Sequence, residues 1–121
     1  MHKKKSNKKI KIKRKNIFII FFSKIFYLRA YDQVRMSAIS GANIKLVGSH
    51  VGVITGEDGP SQMALEDLAL FKAVPTMSIL YPSDAVSASR AFEIAAKTEG
   101  MFYVRTSRPT SKVNKNDYTN F

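Results

Sequence analysis

The stretch at residues 43–62, NIKLVGSHVGVITGEDGPSQ, limits the fold more than any other part of the chain. It opens as a short apolar run at 44–47 and changes character at Gly48-Ser49-His50. A glycine-rich loop follows between Gly52 and Gly59, carrying the adjacent acids Glu57 and Asp58. Pro60 then opens a helical pattern at a position where a first turn tolerates proline. Strand, polar loop and helix make one βα step. In open α/β sheets ligands sit beyond the carboxyl ends of the strands, where such loops gather.

The same alternation runs along the chain. Tyr31, Val34, Ala38 and Ile39 recur at helical spacing and predict a helix over 30–40, ended by Gly41. A first strand is expected at 44–48. A second helix is expected over 63–72, with Ala64, Leu65, Leu68 and Phe71 on its inner face. Pro75 separates it from a second strand at 76–81. Pro82-Ser83-Asp84 supplies a break, an N-cap and a first-turn acid for a helix reaching about 98, with Val86, Phe92 and Ala95 inward and Gly100 at its end. A third strand is expected at 101–106. The runs SILY and MFYV are nearly continuous in apolar residues, as parallel strands buried on both faces are. The expected class is therefore α/β: a parallel sheet of about three strands with flanking helices and right-handed crossovers. So small a sheet leaves an edge open and reads as part of a domain.

Charge separates an arm from this domain. The net charge of +11 lies in the first 29 residues, which hold eleven Lys/Arg and no acid; the other nine Lys/Arg balance nine Asp/Glu. A neutral domain with a basic arm gives no reason to expect a surface specific for nucleic acid. The block at 1–15, MHKKKSNKKIKIKRK, reads as a solvated extension, the alternative being a tether to phosphates or anionic lipid. Residues 16–28, NIFIIFFSKIFYL, are too short for a membrane span and are broken by Ser23-Lys24, and no cleavage pattern of a signal peptide follows. Membrane association of this leader is the less favoured reading. Its core, IFIIFF at 17–22, is an aggregation hazard unless it packs on the domain or on a partner. There is no cysteine, which fits a reducing, cytoplasmic setting and excludes a thiolate metal site. Two histidines, His2 and His50, are too few for a histidine metal centre.

With parallel strands, His50 after the first strand, Asp58 in the same loop and Arg108 after the third would converge on one rim. Imidazole and carboxylate can hold sugar hydroxyls, and a guanidinium grips phosphate through its planar fork. Together they suit a small phosphorylated polyol. Each also has a plain structural explanation: a lone histidine in a packed site, a common Asp-Gly turn, an arginine on the surface before Pro109. Spacing alone leaves both readings open. The loop is neither a Walker motif nor a GxGxxG, no GxSxG elbow is present, and Glu57 beside Asp58 is as readily a solvated pair as an acid/base pair.

The runs AYDQVRMSAIS, GSHVGVITGEDGPSQMALEDLALF, VPTMSILYPSDAV and FYVRTSRP together resemble the transketolases of the animal type, over about residues 29–109. The combination of SH, GEDGP followed by Ser-Gln, and TSRP is specific. The part resembled is the later portion of the pyrimidine-binding, middle domain of these thiamine-diphosphate enzymes, here incomplete. The resemblance implies transfer of a two-carbon ketol unit between sugar phosphates, thiamine diphosphate with Mg or Ca as cofactors of the full-length family, and a homodimer. It also implies that His50, Asp58 and Arg108 bind substrate and that Gln62 and Phe26 lie against the cofactor's aminopyrimidine. Ser23 stands where the family has a second aromatic. The family's catalytic glutamate lies upstream of the resemblance, and its diphosphate- and metal-binding domain lies outside it, so no catalytic and no metal residue is assigned here. The expected organisation is a leader at 1–28, loosely packed or disordered, a partial domain at 29–109 and a polar tail at 110–121. The expected role is a truncated or rearranged transketolase product, incompetent alone, its leader read as translated non-coding sequence. The alternatives are a binding module for full-length transketolase or a basic tether to polyanions.

Overall fold

Among the described residues, four parallel strands form one sheet in the order β1-β2-β4-β3. The structure, a computed structural model, describes residues 17–21 and 29–107. The strands are β1 (Ile17–Phe21), β2 (Ile44–Gly48), β3 (Ser78–Leu80) and β4 (Phe102–Arg105). The helices are α1 (Tyr31–Ile39), α2 (Asp67–Lys72) and α3 (Ala85–Lys97), with two 3-10 segments, Val53–Asp58 and Pro60–Gln62, between β2 and α2. The three expected strands are β2, β3 and β4. A fourth comes from the apolar leader: Ile17 pairs with Ile44 and Phe21 with Gly48. Gly48 in turn pairs with Arg105. Phe21, Gly48 and Arg105 thus stand level, and because all strands are parallel the carboxyl ends share this rim.

Both faces of the sheet are covered, as continuous apolar strands require. Side chains alternate along β2, so Leu46 and Val47 point to opposite faces. Leu46 joins Val34, Ala38, Phe71, Val74, Met101 and Tyr103 on one face. Val47 joins Ala91, Ala95, Phe102 and Val104 on the other, where α3 packs.

The helices differ in detail from the sequence pattern. Ile39 is exposed, and Val34 and Ala38 carry α1 into the core, with Tyr31 partly buried against it. The expected helix from residue 63 begins only at Asp67, because Ala64 takes a positive φ of 42° that no right-handed helix can hold. Its buried residues are Phe71 and Asp67, while Leu65 and Leu68 face outward. An acid displaces leucine from the inside because two polar side chains of β4 need it there. The N-cap of α3 is Asp84 rather than Ser83: its carboxylate accepts from the Ser87 amide at 2.7 Å, and Ser87 Oγ accepts from the Asp84 amide at 3.1 Å. This reciprocal capping box fixes the start of the helix.

Lys45 is a buried cation on the α3 face of β2. Its Nζ donates to Asn43 Oδ1 and to the carbonyls of Thr98 (2.7 Å) and Gly100 (2.8 Å), and it lies 4.8 Å from the centre of the Phe102 ring. It therefore satisfies the carboxyl end of α3 from inside the sheet. Burial lowers its pKa from the ordinary 10.5, against an opposing pull from Glu99. Between the lowered value and 10.5 the unfolded chain holds a proton that the folded chain lacks, so stability rises with pH through that window. Lys45→Met is expected to cost about 1–3 kcal/mol at neutral pH, because it leaves carbonyl acceptors unserved. It is also expected to remove this part of the alkaline rise; urea midpoints of both proteins at neutral and alkaline pH check the two effects.

Candidate functional site at the carboxyl rim

At the end of β2 the chain is stitched to the end of β4. The Thr106 amide donates to the Gly48 carbonyl at 2.8 Å, and the Val51 amide donates to the Thr106 carbonyl at 3.4 Å. The segments that follow the two central strands therefore run side by side over the rim. Val51 is buried and anchors the first of them. His50, half-buried just before it, has φ of 60°, and its ring Nδ1 lies 2.9 Å from Ser49 Oγ. Gly52 (φ 88°, ψ −179°) and Gly59 (φ 76°, ψ 175°) occupy backbone conformations open essentially to glycine alone. The Gly52 amide donates to the Met63 carbonyl at 2.9 Å and closes the base of the loop. Two tight 3-10 turns fill it in place of a helix running on from Pro60.

Three of the five expected site residues sit on this one loop. His50 stands at its start, Asp58 is exposed at the end of the first 3-10 segment, and Gln62 is half-buried at the end of the second. The Gln62 amide donates to the Gly59 carbonyl at 3.0 Å. Arg108 and Phe26 lie outside the described residues. Beside the loop, the Arg105 guanidinium lies 4.5 Å from the centre of the Tyr81 ring, and the Tyr81 and Ser107 hydroxyls are 3.4 Å apart. Among the described residues no group of three or more His, Cys, Asp or Glu could hold a metal ion. No helix among them is long and apolar enough to cross a membrane.

Two residues that shape the rim escaped the sequence reading. Arg105, the first arginine of VRTSR, is drawn inward and donates through Nε to both Asp67 oxygens, at 2.9 and 3.2 Å. Strand alternation could have found it, since it stands two residues after Tyr103 on the same face. Thr55 is buried in an otherwise exposed turn. A hydroxyl within a glycine-rich loop was its only mark.

Residues 11–113 match the family model of the transketolase pyrimidine-binding domain. The chain belongs to this family. It is 56% identical to human transketolase over 96 residues, which are 79% of this chain and 15% of the human protein. Among solved structures, transketolase from Campylobacter jejuni shares the fold, with a TM-score of 0.72 at 24% identity over 81% of this chain and 16% of that one. A split-gene transketolase, described as an inactive β4 tetramer, matches with a TM-score of 0.67 at 33% identity, over 79% of this chain and 30% of that one. This transketolase-family chain thus spans about 15% of the length of the human relative. The family match begins at residue 11 and so takes in β1, ahead of the resemblance first seen from Arg29.

Proposed function

We propose that this chain is the substrate-rim piece of a transketolase, an enzyme that moves a two-carbon ketol unit between sugar phosphates. The observation that carries the reading is the stitching of the β2 and β4 ends through Gly48, Val51 and Thr106, which sets His50 beside the segment leading to Arg108. In this reading the His50 imidazole and the Asp58 carboxylate exchange hydrogen bonds with sugar hydroxyls. Arg108 holds the phosphate through its fork of N–H donors. Gln62, with an amide that both gives and accepts, suits the edge of an aminopyrimidine, and Phe26 suits its face. Half-burial of Gln62 at the closed base of the loop fits such a contact. Thiamine diphosphate, when bound, supplies the stabilised carbanion that ketol transfer needs. Its diphosphate and metal belong to a part of the family outside the residues matched here.

The partial domain in this reading takes in β1 as well as residues 29–109, with the basic block at 1–15 ahead of it and a tail at 110–121, acting in the cytoplasm. The 121-residue chain by itself is expected to show no sustained ketol transfer. Loss of even one required catalytic group costs orders of magnitude in rate, and the split-gene relative is itself described as inactive. A coupled assay with a ketose phosphate donor, an aldose phosphate acceptor, thiamine diphosphate and magnesium checks this. A rate equal to the protein-free control is expected, and turnover proportional to protein would overturn it.

A second reading, a non-catalytic module that docks on full-length transketolase, is favoured by one observation. Val53, Ile54 and Leu65 expose apolar side chains along the loop and at its exit. Co-purification of the tagged chain with full-length enzyme supports this reading, and its absence removes it. The basic arm as a tether to polyanions predicts steep loss of binding with salt and with deletion of residues 1–15.

A further inference from the structure

Thr55 is 3% exposed, although Val53, Ile54, Gly56, Glu57 and Asp58 around it are all exposed. Its hydroxyl oxygen lies 2.9 Å from the His50 carbonyl and 2.8 Å from the Gly52 carbonyl. One hydroxyl proton can serve either of them or lie between the two. Both carbonyls belong to residues with positive φ, 60° at His50 and 88° at Gly52. Glycine takes such a value without strain, whereas a histidine there persists only when its surroundings hold it. The ring has its own partner, Ser49 Oγ at 2.9 Å from Nδ1. The hydrogen bond at one imidazole nitrogen decides whether the other donates or accepts.

We propose that Thr55 is a positioning residue for His50. Its hydroxyl pins the two carbonyls that flank Val51, holds His50 at positive φ and so sets the direction in which the imidazole leaves the rim. Ser49 then sets which ring nitrogen carries the proton. The purpose of this brace rests on the reading of His50 as a ligand of sugar hydroxyls, but its geometry does not. The loop thereby presents a preset donor and acceptor instead of ordering one on binding.

The test is nuclear magnetic resonance on the full chain without added ligand. The chain has two histidines, so His2 in the basic arm is an internal reference for His50. Thr55→Val keeps the shape and removes the hydroxyl; Thr55→Ser keeps the hydroxyl. In Thr55→Val the one-bond Cα–Hα coupling of His50 is expected to leave the range of positive φ, and the chemical shifts of its ring are expected to move while those of His2 stay put. Thr55→Ser is expected to restore both. Ser49→Ala is expected to change the ring nitrogen shifts that report the tautomer and to leave the coupling alone. The proposal is overturned if Thr55→Val gives the wild-type coupling and ring shifts, or if Thr55→Ser is no closer to wild type than Thr55→Val. Should Thr55→Val not fold, combining it with His50→Gly decides the matter. Glycine needs no brace at positive φ, so the double variant is expected to fold, and its failure would also overturn the proposal. Because no sugar phosphate is present, a chain that binds none can still show the brace.

Discussion

Asp67→Ala is expected to bring the domain to the edge of unfolding, at a cost of about 3–5 kcal/mol. The Asp67 carboxylate is 1% exposed and is the hub of the only buried ion pair among the described residues. It accepts from the Tyr103 hydroxyl at 2.8 Å, from Arg105 Nε at 2.9 and 3.2 Å, and from the Leu68 amide at 2.8 Å. Removing it leaves the Arg105 guanidinium buried without a counter-charge. The Tyr81 ring that covers the guanidinium offers only a weaker, partly exposed contact. A loss of this size is a large part of the roughly 5–15 kcal/mol by which domains are stable. Replacing the whole pair is a different matter, because desolvation of both charges disappears with them. The double variant Asp67→Leu with Arg105→Met is expected to recover most of the loss. Urea unfolding of wild type, Asp67→Ala and the double variant reads both effects. A single-variant cost below about 1 kcal/mol, typical of an exposed pair, would show that this pair does not tie α2 to β4.

Gly48→Ala acts on the same network from the other side. A Cβ at Gly48 would stand 2.5 Å from the Tyr103 hydroxyl oxygen, 3.0 Å from Cε2 and 3.1 Å from Cζ. Tyr103 cannot swing aside cheaply. It is wholly buried, its ring packs 4.3 Å from that of Phe71, and its hydroxyl is bound to Asp67. The strand end must move instead, and Ser49 and His50 follow directly from it. A destabilisation of about 1–3 kcal/mol is expected from this overpacking. Tyr103→Phe removes the nearest clashing atom. The cost of the double variant should therefore fall short of the sum of the single costs, a coupling that a double-mutant cycle measures. Strict additivity would mean that the two residues do not touch.

Much of the fold was legible because its signals are local. The span of β2 was readable residue for residue from the apolar run that stops at Gly48, and α3 was readable from its proline break and its acid. What could not be read depended on contacts far apart in sequence. The helix pattern at 63–72 placed Leu68 inward and gave no role to Asp67, whose burial makes sense only with Tyr103 and Arg105 beside it. The leader's apolar run was visible, but its pairing with β2 was not, since pairing is a property of two segments. On the site, motif and topology together put His50, Asp58 and Gln62 on one loop. The positive φ of His50 and the buried hydroxyl of Thr55 left no trace in periodicity, because strain and bracing are set by backbone geometry.

The account turns on the proposal that His50 and Arg108 come together at the carboxyl rim. The chain has no cysteine, so a single Arg108→Cys substitution carries a nitroxide label at one site only. Relaxation of the His50 ring signals by that label is the measurement. Ser40→Cys, at the end of α1 and ahead of the amino end of β2, is the matched control away from the carboxyl rim. The account predicts that the label at 108 strongly broadens the His50 signals and that the label at 40 leaves them sharp. Sharp His50 signals with the label at 108 would contradict it.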